Sequence, residues 1–128
     1  MKQVLLVDDD PAQLSVRQLL LRRMGGIESQ TVTDPQAALE LLRGDSEHAT
    51  FGAVVTDHVM PEVDGPSFVR QLRVFAPDIP VIVVSGMPEA DTAYGGLDVV
   101  FLLKPCEPED LIAILKNALG ESWDRASA

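Results

Sequence analysis

The sequence predicts an α/β fold in which helices cover both faces of a doubly wound, five-stranded parallel sheet. Short apolar runs alternate with stretches of helical periodicity along the chain. Residues 81–84 are apolar at every position, which is typical of a strand buried on both faces. The chain has 128 residues, a length that suits one domain with a single core.

Each predicted element has a local signal. The predicted strands are the apolar runs at residues 4–7, 27–32, 53–56, 81–84 and 99–103. Helical patterns occupy residues 11–24, 37–43, a stretch opened by Asp64, and 109–119. Asp34 followed by Pro35 is a typical helix start, and Gly120 predicts the end of the last helix. These signals predict one domain over residues 1–120 and a loosely held tail or linker over residues 121–128.

The stretch between the fourth and fifth strands is short. Only thirteen residues, 86–98, separate Ser85 from Val99. They must hold two loops and the fourth helix, and an average helix alone takes about 11 residues. The sequence therefore predicts a fourth helix of two turns or fewer, and it predicts that residues 87–96 are mobile.

The composition excludes several classes of protein. The net charge is −10, from 20 acidic and 10 basic residues, which opposes direct nucleic-acid binding because that binding depends on Lys and Arg neutralising phosphates. A single cysteine excludes an internal disulfide and a cysteine-based metal site. No apolar run approaches the roughly 18 residues of a membrane span. We expect a cytoplasmic protein that does not associate with a membrane.

Polar side chains follow four of the predicted strands. The first strand ends in Asp8, Asp9 and Asp10, and the third in Asp57. Ser85 follows the fourth strand and Lys104 the fifth. In an open parallel sheet, ligands bind outside the carboxyl ends of the strands, where all these residues are expected to meet.

The residue types at this edge predict phosphoryl chemistry. Asp8, Asp9 and Asp57 would repel one another unless a cation joined them, and carboxylates with water are the ligands that Mg²⁺ prefers. Lys104 and the Ser85 hydroxyl could then contact the oxygens of a phosphoryl group. Asp57 could act as the nucleophile and form an aspartyl phosphate.

In order and spacing, these motifs resemble the response-regulator receiver family of two-component systems over almost the whole chain. The matching blocks are Val7-Asp8-Asp9-Asp10-Pro11, Asp57-His58-Val59-Met60-Pro61 with Asp64-Gly65, Val84-Ser85-Gly86, and Lys104-Pro105. The resemblance implies a flavodoxin-like, CheY-like sheet with strand order 2-1-3-4-5. It also implies a phosphoprotein that takes its phosphoryl group from a histidine kinase or a histidine phosphotransfer protein.

The resemblance also assigns roles to residues. Asp57 is the expected phosphoacceptor, and Mg²⁺ is expected to bind Asp8, Asp9, Asp57 and the backbone carbonyl of Val59, with Asp8 acting mainly through water. Ser85 and Lys104 are expected to contact the phosphoryl group.

Phe101 matches the family's switch aromatic, whose ring turns inward as Ser85 moves; it lacks the hydroxyl that a tyrosine would supply. The face read by partners is then the fourth helix, the fifth strand and the fifth helix. The resemblance implies that the partner there is an effector protein or a fused output or kinase domain.

Two alternatives remain open at this point. A haloacid-dehalogenase-like phosphatase would use Asp8 as nucleophile and Asp10 as acid/base, although Pro11-Ala12 replaces the expected threonine pattern. A degenerate receiver would serve only as an interaction module. The leading interpretation is a signalling domain that is not an enzyme toward other molecules and that catalyses only its own phosphorylation and dephosphorylation.

Overall fold

The fold, taken from a computed structural model, contains one parallel sheet of five strands. The structure describes residues 2–45, 50–58 and 64–127, with side chains up to residue 119 in the last helix. The sheet order is β2-β1-β3-β4-β5, as the resemblance implied. The strands are β1 (Gln3–Val7), β2 (Ser29–Val32), β3 (Phe51–Asp57), β4 (Val81–Ser85) and β5 (Val100–Leu103).

The helices between these strands are α1 (Pro11–Gly25), α2 (Pro35–Arg43), α3 (Gly65–Phe75) and α4 (Pro108–Ser127). A 3-10 helix, Pro88–Tyr94, replaces a regular helix between β4 and β5 and is called the 3-10 segment below. The short fourth helix predicted from the sequence is confirmed. The structure also shows what the sequence did not, since Ala90 and Tyr94 of this segment are buried.

Three helices begin in the same way. Asp10, Asp34 and Asp64 cap α1, α2 and α3, and each carboxylate accepts a hydrogen bond from a backbone N–H in the first turn. A proline follows within the first two helical positions, where its missing N–H is not needed. The Asp-Pro signal at residue 34 is therefore confirmed, and the same chemistry recurs at two strand-to-helix turns.

The apolar residues divide into two clusters, one on each face of the sheet. On one face, α2 and α3 cover the inward side chains of the strands; the helix residues are Ala38, Leu39, Leu42, Phe68, Val69 and Leu72. On the other face lie α1 and α4, whose buried residues are Leu14, Leu21, Leu111, Ile112 and Leu115. The central strands are buried on both faces, which explains their continuous apolar sequences.

One sequence prediction about the last helix is wrong. Gly120 does not end it, because α4 runs from Pro108 to Ser127. A glycine inside a helix costs about 1 kcal/mol relative to alanine, and that alone does not stop a helix whose next residues are compatible with it. The proposed domain boundary at residue 120 remains a prediction. Among the helices that the structure describes, none is long and apolar enough to cross a membrane.

Candidate functional site

Three carboxylates meet at the carboxyl ends of β1 and β3. These strands are neighbours in the sheet, so Asp8 and Asp9 after β1 lie beside Asp57 at the end of β3. One carboxylate oxygen from each of the three residues lies within 4.8 Å of the others. Asp8 is buried, Asp57 is half-buried and Asp9 is exposed. The predicted acidic cluster is therefore present and opens to solvent through Asp9.

The Asp8 carboxyl group has the environment of a metal ligand. Its Oδ1 accepts a hydrogen bond from the backbone N–H of Asp10 at 3.1 Å. Its Oδ2 is buried and has no hydrogen-bond partner in the part of the chain that the structure describes. Burial raises the pKa of Asp8, and the Asp57 charge raises it further, whereas the Asp10 N–H and Arg17 lower it. A buried oxygen without a partner, beside two further carboxylates, fits a hard cation such as Mg²⁺.

Of the other two predicted residues, Lys104 approaches Asp57 from the end of β5, and Ser85 is the last residue of β4, the neighbour of β3. Lys104 Nζ lies 3.5 Å from Asp57 Oδ1. The backbone N–H of Lys104 donates to the carbonyl of Ser85 at 2.7 Å, so the end of β4 fixes the start of the loop after β5. The buried Ser85 hydroxyl accepts a hydrogen bond from the backbone N–H of Met87 at 3.0 Å. The Lys104–Pro105 peptide bond is cis.

The other carboxylate contacts are made by backbone and by one arginine. Asp57 Oδ1 accepts a hydrogen bond from the backbone N–H of His58 at 2.9 Å. Arg17 of α1 points toward Asp8, with 4.0 Å between Nη1 and Oδ2. The role of Arg17 could not be predicted from the sequence, because nothing in its spacing shows that it reaches the end of β1. Val59, predicted to offer its carbonyl to the metal, lies outside the described residues.

Phe101 takes part in an aromatic contact that the sequence analysis also missed. Its half-buried ring lies 6.3 Å from the ring of Tyr94, centroid to centroid. The Tyr94 ring in turn meets the edge of His58 at 5.6 Å. These three rings connect β5, the 3-10 segment and the residue directly after Asp57.

The Tyr94 hydroxyl ends in a tight polar contact. It lies 2.7 Å from His58 Nδ1, and burial raises the pKa of this phenol. A Cβ atom at Gly65 would collide with the same hydroxyl and would also crowd the backbone of His58. Gly65 donates its N–H to the carbonyl of His58 at 2.9 Å. The glycine after Asp64 is thus required by a close approach of three chain segments.

Comparisons with known proteins agree with this architecture. Residues 4–116 match the family described as response regulator receiver domain. The response regulator MprA of Mycolicibacterium vanbaalenii is 34% identical over 122 residues, which is 91% of this chain and 50% of that protein. The sensor kinase CckA of Brucella abortus is 35% identical over 130 residues, covering 91% of this chain and 12% of that protein.

A solved structure has the same fold. The receiver domain protein from Clostridium thermocellum superimposes with a TM-score of 0.83 at 24% identity, and the match covers 95% of this chain and 97% of that one. The chain spans about half or less of the length of the curated relatives just described. The family match, the strand order and the relatives together identify this chain as a member of the response regulator receiver domain family of two-component systems.

Proposed function

We propose that this receiver domain accepts a phosphoryl group on the carboxylate of Asp57, and that a bound Mg²⁺ ion is needed for the transfer. The observation that carries the proposal is that Asp57 lies close to both an acidic pair and a lysine. One of its carboxylate oxygens lies within 4.8 Å of one from Asp8 and one from Asp9, and Lys104 Nζ lies 3.5 Å from its Oδ1. A carboxylate nucleophile beside both a cation site and an ammonium group suits phosphoryl transfer.

The proposed step is a displacement at phosphorus. A carboxylate oxygen of Asp57 forms the new P–O bond while the P–N bond to the donor phosphohistidine breaks, and the histidine nitrogen keeps the bonding electron pair. Asp8, Asp9 and Asp57 would hold Mg²⁺, which supplies positive charge to the phosphoryl oxygens when it is bound. The Lys104 ammonium group balances the negative charge of a further phosphoryl oxygen, and the Ser85 hydroxyl donates a hydrogen bond to the phosphoryl group. Water later hydrolyses the acyl phosphate and restores the Asp57 carboxylate.

The proposed partners follow from the family. The phosphoryl donor is a histidine kinase or a histidine phosphotransfer protein, and small donors such as acetyl phosphate serve in the laboratory. The conformational signal leaves through Ser85 and Phe101 to the face formed by the 3-10 segment, β5 and α4, where an effector protein or a fused domain binds. The domain catalyses its own phosphorylation and dephosphorylation only. Cytoplasmic location remains a prediction from the sequence.

Mass spectrometry separates this proposal from its alternatives. We expect intact mass to show one phosphoryl group after incubation with acetyl phosphate and Mg²⁺, and peptide mapping to place it on Asp57. Asp57→Asn keeps the size of the side chain and should abolish the label. Labelling at Asp8 with turnover would instead indicate a phosphatase; Asp10 would then have to leave its role as the cap of α1. No label on the wild type would indicate an interaction module.

Thermal unfolding tests the metal. Mg²⁺ binds the folded acidic cluster and not the unfolded chain, so a concentration 100 times its Kd should stabilise the fold by about 2.7 kcal/mol. Asp9→Asn removes one exposed carboxylate, so we expect a higher Tm without metal and a smaller response to Mg²⁺. NaCl at matched ionic strength controls for screening. A wild-type Tm that responds equally to both salts would refute the magnesium site.

A further inference from the structure

Arg17 is placed to act on the acidic cluster from α1, whereas Lys104 contacts the cluster from the end of β5. It lies on α1, which begins directly after Asp10, and its Nη1 approaches Asp8 Oδ2 to 4.0 Å. The Arg17 side chain is only 16% exposed and the Asp8 side chain 2%. Neither of these two atoms has a hydrogen-bond partner in the part of the chain that the structure describes.

This contact is too long for a hydrogen bond, so it is mainly an attraction between charges. Three carboxylates lie close together, and two basic side chains come within 4.0 Å of them. Lys104 faces Asp57, while Arg17 faces Asp8. The two basic side chains therefore contact different carboxylates. Because Arg17 does not form a hydrogen bond with Asp8 Oδ2, this oxygen can still bind a metal cation.

We propose that Arg17 is a positioning residue that stabilises the metal-free acidic cluster and thereby weakens its affinity for Mg²⁺. The inference rests on the magnesium site proposed above. A fixed positive charge near Asp8 lowers the repulsion among the carboxylates, and it opposes the entry of a divalent cation. A unit charge and a divalent charge within about 8 Å repel each other by at least about 1 kcal/mol even in bulk water, and by more near a protein surface. Removing this charge should therefore tighten Mg²⁺ binding at least about fivefold.

Calorimetric titration of the full chain with MgCl₂ tests the inference. Arg17→Met keeps much of the apolar stem and removes the charge, so we expect its Kd for Mg²⁺ to fall at least about fivefold. Its Tm without metal should also fall. Arg17→Lys keeps a charge and should stay close to the wild type. Arg22→Met is the matched control, because Arg22 lies on the same helix, is exposed and pairs with Glu28 instead.

The outcomes separate this inference from the metal site itself. If the wild type binds Mg²⁺ and Arg17→Met binds it equally or more weakly, Arg17 does not oppose the metal and the inference is wrong. If neither protein binds Mg²⁺, the magnesium site fails and the inference fails with it. If Arg22→Met tightens binding as much as Arg17→Met, the effect reflects net charge alone and the inference also fails. Should Arg17→Met not fold, Arg17→Gln gives the same comparison.

Discussion

His58 Nδ1 and the Tyr94 hydroxyl lie 2.7 Å apart, which joins the residue after Asp57 to the end of the 3-10 segment. Tyr94 is the only tyrosine in the chain, and it is buried. Phe101 has no hydroxyl and so cannot form a side-chain hydrogen bond near the site. Tyr94 has one, and its ring contacts both the Phe101 ring and the His58 ring. The polar link between the residue after Asp57 and the segment before β5 therefore comes from Tyr94, which lies outside β5.

Tyr94→Phe removes this link while keeping the ring. We expect a loss of about 1 kcal/mol in the free energy of unfolding, because the His58 nitrogen loses its partner. Amide hydrogen exchange of the 3-10 segment should also accelerate, since only the ring at position 94 and the small Ala90 then anchor it. Thr92→Val is the matched control, because the Thr92 hydroxyl bonds only within the segment, to the carbonyl of Glu89. Equal exchange in the wild type and Tyr94→Phe would show that the hydrogen bond does not hold the segment.

Arg73 binds backbone groups at the amino ends of β4 and β5, whereas the acidic cluster lies at the carboxyl ends of the strands. Its guanidinium donates to the carbonyls of Ala76 and Ile79 at 3.1 and 2.7 Å. It also donates to those of Leu97 and Asp98 at 2.9 and 2.8 Å. One side chain thus satisfies backbone groups before β4 and before β5. Burial lowers the pKa of Arg73, but an arginine keeps its charge at neutral pH.

We expect Arg73→Met to lower the free energy of unfolding by about 3 kcal/mol, because four carbonyls lose a charged donor. Arg73→Lys should recover only part of this loss, since one ammonium group cannot reproduce the guanidinium fork. Arg70→Met removes the same charge from an exposed position on α3 and should change the stability little. Urea unfolding of the three variants measures these differences. Equal stability of Arg73→Met and Arg70→Met would contradict the role assigned to Arg73.

Much of this fold could be predicted because its signals are local. The apolar runs of β1, β3 and β4 indicate strands buried on both faces, and the Asp-Pro pair at residue 34 begins α2. The meeting of Asp8, Asp9 and Asp57 also followed from the chain, because parallel strands deliver their carboxyl ends to one edge.

The residues that were missed act through contacts between distant segments. Arg73 reaches carbonyls before β5, and Tyr94 reaches His58 across 36 positions. No periodicity or motif records such contacts, because they depend on how the elements pack. The prediction at Gly120 was wrong for another reason: a glycine often follows the end of a helix, but its cost of about 1 kcal/mol inside a helix does not by itself end one.

Asp64 makes the start of α3 sensitive to acid. Its Oδ1 accepts a hydrogen bond from the backbone N–H of Ser67 at 2.9 Å, and this bond lowers the pKa of Asp64 below its ordinary value of 3.8. A lowered pKa means that the contribution of Asp64 to stability is complete above about pH 4 and is lost as the pH falls through the lower folded value. Asp64→Asn retains a cap but has no proton to take up.

We therefore expect the wild type to lose stability more steeply than Asp64→Asn between about pH 4 and pH 2. At neutral pH the two proteins should differ little, and Asp64→Ala should lose about 1 kcal/mol. Urea unfolding at several pH values measures both effects. Parallel stability curves for the wild type and Asp64→Asn over this acid range would show that the cap does not titrate with folding.

Ser85 and Lys104 separate the chemistry at Asp57 from the conformational response. Lys104→Ala removes the ammonium group 3.5 Å from Asp57 Oδ1, and we expect acetyl phosphate to label this variant about tenfold more slowly, since a charged contact contributes about 1.5 kcal/mol. Lys116→Ala, at an exposed position on α4, is the control for lost charge. If Lys104→Ala is labelled as fast as the control, Lys104 does not contribute to phosphoryl transfer.

Ser85→Ala should show the reverse pattern, because the Ser85 hydroxyl contributes a single hydrogen bond to transfer, whereas its movement toward the phosphoryl group carries the conformational response. We expect labelling within about fivefold of the wild type, since a single hydrogen bond contributes about 1 kcal/mol. The amide shifts around Phe101 should nevertheless change much less on addition of beryllium fluoride, because no hydroxyl draws the end of β4 toward the bound group. Ser85→Thr keeps the hydroxyl and controls for the lost hydrogen bond from Met87. A full Phe101 response in Ser85→Ala would leave Asp57 as the acceptor and would show that the signal reaches β5 by a route that does not use Ser85.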